Sequence, residues 1–175
     1  MNFKKIIPVI IVIVLIGSVG FMLAFRPAPS PSVSSEAAIS PNESELVDAK
    51  GNPVNFSDFE GKVVFINDWA SWCRPCVAKM PTIVALKEAF SEDELVVVMV
   101  SFDQQRETGL QWMEQQGFDL PVYFPGKDFP QQFVTNAIPA TFILDQRGEI
   151  LHSQMGMADY SHPAFIEQMK QWINL

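Results

Sequence analysis

The stretch KVVFINDWASWCRPC, residues 62–76, contains both cysteines of the 175-residue chain. Its first part, Lys62–Ala70, follows a glycine and is rich in β-branched and aromatic side chains, which is typical of a central β-strand. A helix is predicted from about Cys73 to Phe90. The turn between this strand and this helix therefore carries Cys73 and Cys76, with only two residues between them.

The position of the two thiols in the predicted helix makes them chemically unequal. A thiol at a helix N-terminus lies at the positive end of the helix dipole, where free N–H groups favour an anion. We therefore predict that Cys73 is an exposed nucleophile of low pKa, and that Cys76, one turn further on, resolves the mixed disulfide. Arg74 adds a positive charge beside Cys73, and Pro75 suits the first helical turn.

Two other interpretations of the cysteine pair are open on these grounds alone. One is a structural disulfide, although a bond that closes so short a loop removes little chain entropy and gives little stability. The other is a copper or zinc site in a metal-delivery module, with His152 or His162 as a further ligand. The chain has no second CxxC motif, and both histidines are distant from the cysteines in sequence. Redox exchange is therefore the favoured interpretation.

The N-terminal segment is predicted to span a membrane. The run from Ile6 to Phe25 contains 20 residues and no charge, and as a helix it matches a hydrocarbon core of roughly 30 Å. Lys4 and Lys5 favour a cytoplasmic position for residues 1–5. We therefore predict that residues 6–25 form a single-pass signal anchor in the cell membrane, with the rest of the chain outside the cytoplasm. A cleaved signal peptide is the alternative.

A flexible linker is predicted between this anchor and a domain at residues 44–175. Residues 26–43 are rich in proline, serine and alanine and show no apolar periodicity, so they cannot bury enough surface to fold. Beyond Arg26 the chain has 20 acidic residues against nine lysines and arginines, a net charge of −11. A charge of this sign argues against nucleic acid and anionic lipid as partners of the domain.

The remaining sequence contains no internal repeat and alternates strands with helices. The predicted elements are a hairpin at Leu46–Phe56, a buried strand at Leu95–Phe102, a helix at Gln104–Gln116, a short strand at Pro121–Phe124, a helical turn at Phe129–Asn136, a second hairpin at Ala140–Gly156 and a helix at His162–Asn174. This order predicts an α/β sandwich with a mixed sheet.

VVFINDWASWCRPC (residues 63–76) resembles the thioredoxin superfamily. LVDAKGNPVNFSDFEGKVV (46–64) is similar to its extracytoplasmic branch, the membrane-anchored TlpA/ResA-type thiol–disulfide oxidoreductases, which includes the cytochrome c maturation reductases. The resemblance extends from Leu46 to the C-terminus and includes Pro81 and the stretch AIPATFILDQRGEI (137–150). It implies a thioredoxin-like three-layer α/β/α sandwich with a mixed central sheet, an extra N-terminal β-hairpin and a central α/β insert.

The resemblance also implies which residues meet a substrate. Pro139 is expected to be a cis-proline that faces the disulfide, and the Ile138 backbone is expected to pair with an extended substrate chain. Trp72 is expected to form an apolar rim beside Cys73, and Arg74 is a further expected substrate contact. No prosthetic group is needed, because the dithiol itself is the redox centre.

Two residues depart from the family pattern. The usual Asn-Phe-Trp is Asn67-Asp68-Trp69 here, and the usual glutamate three residues after the second cysteine is Lys79. On a helix Lys79 lies on the same side as Cys76, so we hypothesise that it favours a thiolate there. Asp68 would then pair with Lys79, or replace the buried acid that thioredoxins usually place at the position of Asn67.

Strand alternation, however, points Asp68 away from the face of Asn67 and Trp69. The alternatives for Asp68 are therefore a salt bridge elsewhere or a place at an irregular strand end. The alternative for Lys79 is a solvated helix residue.

Together these features predict an extracytoplasmic enzyme that reduces protein disulfides through Cys73 and Cys76. The resemblance implies a membrane protein as its electron donor and apocytochrome c as one client. In one alternative the same cysteines oxidise thiols or rearrange disulfides of secreted proteins, as in a disulfide oxidase or isomerase. In another they are the ligands of a copper-delivery module. A peroxidase is disfavoured, because that chemistry usually uses a lone cysteine before its helix.

Overall fold

The computed structural model describes residues 45–175. Its strands are β1 (Leu46–Asp48), β2 (Pro53–Val54), β3 (Val63–Trp69), β4 (Leu95–Ser101), β5 (Val122–Pro125), β6 (Ala140–Leu144) and β7 (Ile150–Met155). The α-helices of this region are α1 (Arg74–Glu88), α2 (Arg106–Gln116) and α3 (Pro163–Ile173), and 3-10 turns cover Phe56–Phe59 and Gln131–Phe133.

The strands form one mixed sheet in the order β2-β1-β5-β4-β3-β6-β7. β3 is parallel to β4 and antiparallel to β6, and β4 is parallel to β5. All seven residues of β3 are buried, which explains its nearly continuous apolar sequence. α1 connects β3 to β4 and α2 connects β4 to β5. Because parallel crossovers are right-handed, both helices lie on the same face of the sheet.

Two apolar clusters pack against the two faces of the sheet. The first contains buried side chains of all three α-helices and of β3, among them Met80, Ile83, Met113, Met169, Phe65 and Trp69. The second contains side chains of the sheet and aromatic rings from the two 3-10 turns and neighbouring loops, among them Ile66, Phe142, Phe129, Phe133 and Phe56. The predicted fold class, a thioredoxin-like α/β sandwich with a mixed sheet, is confirmed.

The boundaries of the elements differ from the predicted ones by a few residues. The helix predicted at Cys73–Phe90 covers Arg74–Glu88, with Cys73 as its N-cap. The helical turn predicted at Phe129–Asn136 is reduced to Gln131–Phe133, because Val134 already has extended dihedral angles (φ −75°, ψ 116°). Local pattern thus predicts where an element lies more accurately than where it ends.

Within residues 45–175 no helix has both the length and the apolar character needed to cross a membrane. The cytoplasmic tip (1–5), signal anchor (6–25) and linker (26–43) lie outside the described residues and stay predictions.

Candidate active site

Cys73 and Cys76 form a disulfide at the N-terminus of α1. The Cys73 backbone is extended (φ −85°, ψ 96°), as is usual for an N-cap, and its sulfur accepts a hydrogen bond from the Cys76 N–H at 3.3 Å. In the reduced protein the same N–H group and the helix dipole would stabilise a Cys73 thiolate. The turn therefore has the asymmetry that thiol–disulfide exchange requires.

Cys73 is more enclosed than predicted. Its exposed fraction is 5%, and that of Cys76 is 0%. The Cys73 N–H donates to the Ala70 carbonyl at 3.0 Å, and this turn folds Cys73 back onto the first apolar cluster, which includes Ala70 and Trp69. Cys73 is nevertheless the more accessible of the two cysteines, so a reacting sulfur from outside meets it first.

Asp103 fixes the loop that leads into the cysteine turn. Its carboxylate accepts hydrogen bonds from the Ser71 N–H at 3.1 Å, the Ser71 hydroxyl at 2.7 Å and the Ser101 hydroxyl at 2.9 Å. Gly109 of α2 packs directly against this group, since a Cβ there would lie 2.8 Å from Ser101 Oγ and 3.0 Å from Asp103 Oδ2. Our sequence reasoning missed Asp103. Its place just beyond the carboxyl end of β4, a strand parallel to β3, is the signal that points to it.

The Ile138–Pro139 peptide bond is cis and comes directly before β6. In the antiparallel pairing of β3 and β6, Ala140 lies opposite Asp68. The start of β6 and the end of β3 therefore share one edge of the sheet, and this brings Pro139 to the edge that carries the cysteine turn. The Pro139 carbonyl accepts a hydrogen bond from the Gly156 N–H at 2.8 Å, which ties the end of β7 to the same edge.

Large apolar side chains are exposed at this edge. The exposed fractions are 67% for Trp72, 49% for Met155 and 54% for Met157. Trp72 directly precedes Cys73, Met155 pairs with Ala140, and Met157 follows Gly156. Arg74 is also exposed. Trp72, Met155 and Met157 form an apolar border, with the charged Arg74 beside it, that an unfolded protein segment can contact.

Lys79 lies in the interior rather than in solvent. Its exposed fraction is 1%, and its Nζ donates a hydrogen bond to the Thr141 hydroxyl at 3.1 Å. The same hydroxyl accepts a hydrogen bond from the Tyr160 hydroxyl at 2.6 Å and donates to Asn67 Oδ1 at 3.3 Å. The Lys79 Nζ is 5.2 Å from the centre of the Tyr160 ring, a cation–π distance. The alternative of a solvated Lys79 is therefore wrong.

The roles of Thr141 and Tyr160 were missed because neither is near the cysteines in sequence. A buried polar group needs a partner, and a helix lysine with no acid one turn away was the available signal.

Asp68 is buried on the other face of the sheet, as strand alternation predicts, since its partners Val100 and Ala140 belong to the second apolar cluster. Both of its carboxylate oxygens are buried without a hydrogen-bond partner. The ion pairs found within residues 45–175 do not include Asp68 or Lys79. The direct Asp68–Lys79 pair and the salt bridge elsewhere are therefore both absent from the described structure.

Burial dominates the titration of both groups. Loss of solvent raises the pKa of Asp68 to about 8, and the positive charge of Lys79 opposes this rise only in part. Loss of solvent likewise lowers the pKa of Lys79 to about 8, against the opposing effect of Asp68. At neutral pH Asp68 is therefore mostly protonated and Lys79 is mostly charged.

The two histidines have other positions in the fold. His152 stacks on Trp172 with ring centres 5.8 Å apart, and His162 is the N-cap of α3, where its Nδ1 accepts a hydrogen bond from the Ala164 N–H. In the part of the chain that the structure describes, no group of three or more histidine, cysteine or acidic side chains is arranged to hold a metal ion.

Comparison with known proteins agrees with this geometry. A family model described as the AhpC/TSA family matches residues 38–153. The thiol-disulfide oxidoreductase ResA of Bacillus thuringiensis (strain Al Hakam) is 28% identical over 152 residues, which cover 85% of this chain and 86% of that protein. The thioredoxin-like protein YneN of Bacillus subtilis (strain 168) is 27% identical over 156 residues, covering 87% and 91%.

The crystal structure of the thioredoxin domain of a thiol-disulfide oxidoreductase from Bacteroides vulgatus matches the fold with a TM-score of 0.63. The sequence identity is 22%, and the match covers 80% of this chain and 100% of that domain. Since the family model spans more than half of the sequence, the chain belongs to the AhpC/TSA family, within the thioredoxin superfamily and with ResA-type thiol–disulfide oxidoreductases as its relatives.

Proposed function

We propose that this thiol–disulfide oxidoreductase acts outside the cytoplasm and reduces disulfide bonds in other proteins. The observation that carries the proposal is the disulfide at the N-terminus of α1, in which Cys73 caps the helix and Cys76 is fully buried. Such a pair combines an activated outer sulfur with a resolving sulfur one turn away.

The reaction consists of two exchanges. The Cys73 thiolate attacks one sulfur of the substrate disulfide, so that a Cys73–substrate bond forms and the other substrate sulfur leaves as a thiolate that takes a proton from water. Cys76 then gives up its proton to water and attacks the Cys73 sulfur, which breaks the Cys73–substrate bond. The Cys73–Cys76 bond forms, the first substrate sulfur leaves as a thiolate, and two electrons have passed from the enzyme dithiol to the substrate.

The substrate segment is proposed to lie extended beside the cis Ile138–Pro139 bond. There the Ile138 backbone would add hydrogen bonds in the manner of strand addition. Trp72 and the neighbouring methionines would contact apolar side chains of the same segment, and Arg74 would contact its polar groups. An unfolded or partly folded protein fits such a border better than a compact one does.

The location rests on the predicted anchor at residues 6–25 and on the resemblance to the extracytoplasmic branch of the superfamily. An enzyme that reduces disulfides is oxidised in each cycle and must be reduced again. We propose that a membrane protein supplies the electrons, and that apocytochrome c is a client because the resemblance extends to cytochrome c maturation reductases.

A disulfide oxidase of secreted proteins is the second candidate, because two positive charges near the cysteines favour oxidation of substrate thiols over reduction of substrate disulfides. Arg74 lies beside Cys73, and Lys79 is buried on the side of α1 that carries Cys76. Stabilised thiolates favour the reduced dithiol and make the disulfide a better oxidant. Equilibration with glutathione redox mixtures separates the candidates, since a strongly oxidising couple would overturn the reductase assignment.

A trapping experiment tests the reaction and identifies the client. Cys76→Ser in the full chain removes the resolving sulfur, so substrates are expected to stay bound to Cys73 in a complex that dithiothreitol releases. The double variant Cys73→Ser/Cys76→Ser is the matched control and should trap nothing. Recovery of proteins with C-x-x-C-H haem-attachment motifs would support the cytochrome client. An absence of covalent complexes, together with no insulin reduction by the wild type, would overturn the proposed function.

A further inference from the structure

Lys79 occupies an unusual place for a lysine, the buried side of the helix that carries the cysteines. The buried residues of α1 are Cys76, Lys79, Met80, Ile83 and Leu86, so an ammonium group lies in an otherwise apolar stripe. Residues three apart on a helix are neighbours on its surface. Lys79 therefore shares the side of Cys76, and both are enclosed between α1 and the sheet.

The groups that hold the ammonium are polar but uncharged. Thr141 accepts its hydrogen bond at 3.1 Å, and the Tyr160 ring faces it at 5.2 Å. Burial raises the pKa of Tyr160, so its hydroxyl stays neutral at physiological pH. The Thr141 hydroxyl accepts from Lys79 and Tyr160 and donates to Asn67, and this uses all of its hydrogen-bonding capacity.

No carboxylate compensates the charge at close range. Among residues 45–175 no acidic oxygen lies within 4.0 Å of the Lys79 Nζ. Asp68 is the acidic group that acts on Lys79 through its charge, but it belongs to the opposite face of the sheet, where burial favours its neutral form. A buried cation without an anion is costly, which suggests that an anion arrives in another state of the protein.

Reduction of the disulfide frees a thiol at Cys76 on the same side of the helix, and ionisation of that thiol would give such an anion. We propose that the Cys76 thiolate is the anionic partner of the Lys79 ammonium, so that Lys79 is a positioning residue that promotes the attack of Cys76 on the mixed disulfide. The inference rests on the proposed exchange reaction. It states that the buried Lys79 ammonium favours ionisation of the Cys76 thiol. Arg74, by contrast, is exposed at the start of α1, next to Cys73 in sequence, and is not part of this buried group.

The test is the pH titration of Cys76 alone, followed by the ultraviolet absorbance of its thiolate in a Cys73→Ser background. Thiolate absorbance is independent of reagent access, which matters because Cys76 is buried. Lys79→Met keeps most of the side-chain volume and removes the charge. We expect the pKa of Cys76 to rise by at least about one unit, which is a tenfold loss of thiolate at any pH well below that pKa.

Lys87→Met is the matched control, because Lys87 lies on the same helix but is paired with Asp119 at the surface. It should leave the titration of Cys76 unchanged. Lys79→Gln provides a second uncharged side chain if Lys79→Met unfolds, as judged by circular dichroism. A folded Lys79 variant with the wild-type Cys76 titration would overturn the inference.

This titration requires no turnover and no client. An absence of insulin reduction by the wild-type protein would overturn the proposed function, but it would not change the effect of Lys79 on the titration of Cys76. If the wild type reduces insulin but the Lys79 variants leave the Cys76 titration unchanged, the inference about Lys79 is overturned and the proposed function stands.

Discussion

The Lys79 Nζ donates a hydrogen bond to the Thr141 hydroxyl at 3.1 Å, although the two residues are 62 positions apart in sequence. The bond joins α1, which carries the cysteines, to β6, which follows the cis Ile138–Pro139 bond. Tyr160 donates to the same hydroxyl at 2.6 Å. One threonine therefore satisfies two buried donors and connects the two parts of the active site.

Replacement of Thr141 by valine should be strongly destabilising for an isosteric change. Both Lys79 and Tyr160 would lose a buried acceptor, and we expect the free energy of unfolding to fall by about 2–4 kcal/mol. Urea denaturation of the oxidised protein measures it. Thr135→Val is the control, since Thr135 is partly exposed and bonds only to the nearby Ala137 carbonyl. Equal stability of Thr141→Val and wild type would contradict the network.

The stability of the protein should depend on pH through Asp68. Its pKa is raised from 3.8 to about 8 by burial, so between these values the folded state binds a proton that the unfolded state has released. The contribution of Asp68 to the free energy of unfolding is therefore fully present below about pH 4, and it declines as the pH rises towards about 8. The expected decline is on the order of 2 kcal/mol or more.

Asp68→Asn removes this titration and should flatten the dependence of the unfolding free energy on pH between about 5 and 8. Asp128 is exposed, so Asp128→Asn is expected to keep the wild-type slope. Denaturant unfolding at several pH values compares the three proteins. The same slope in all three would show that Asp68 ionises normally.

Loss of the Asp103 carboxylate should loosen the loop before the cysteine turn. In Asp103→Ala the Ser71 N–H, the Ser71 hydroxyl and the Ser101 hydroxyl lose their acceptor. We expect a loss of about 1–3 kcal/mol in stability and a lower kcat/KM for insulin reduction, because the position of Cys73 is less well defined. Asp93→Ala, at a side chain that is 99% exposed, should change neither quantity.

Trp72 should affect recognition of proteins without affecting stability. Its side chain is 67% exposed, so Trp72→Ala is expected to change the unfolding free energy by less than about 0.5 kcal/mol. Loss of the apolar contact should lower kcat/KM for a protein disulfide about tenfold and leave reduction of a small aromatic disulfide nearly unchanged. Ile150→Ala is the control, because Ile150 is 42% exposed but pairs with Leu144 at the opposite end of β6. Equal losses on both substrates would argue against a role in protein binding.

The sequence by itself determined the elements of the fold and the chemistry of the cysteine turn. The strand at Lys62–Ala70, the helix that begins after Cys73 and the hairpin at Leu46–Phe56 depend on residues within one turn or one strand of each other. Their apolar period, glycines and prolines are therefore visible in a short window. The CxxC spacing is equally local, since three positions at the start of a helix place both sulfurs within bonding distance.

Only the tertiary structure decided the environment of the charged residues near this turn. Lys79 looks like an ordinary solvated helix residue until β6 and Tyr160 enclose it, and Asp103 meets Ser71 across 32 positions of sequence. Asp68 has its unusual pKa because distant apolar segments exclude water from it and supply no partner. Burial and electrostatic coupling depend on which segments pack together, and neither periodicity nor local spacing contains that information.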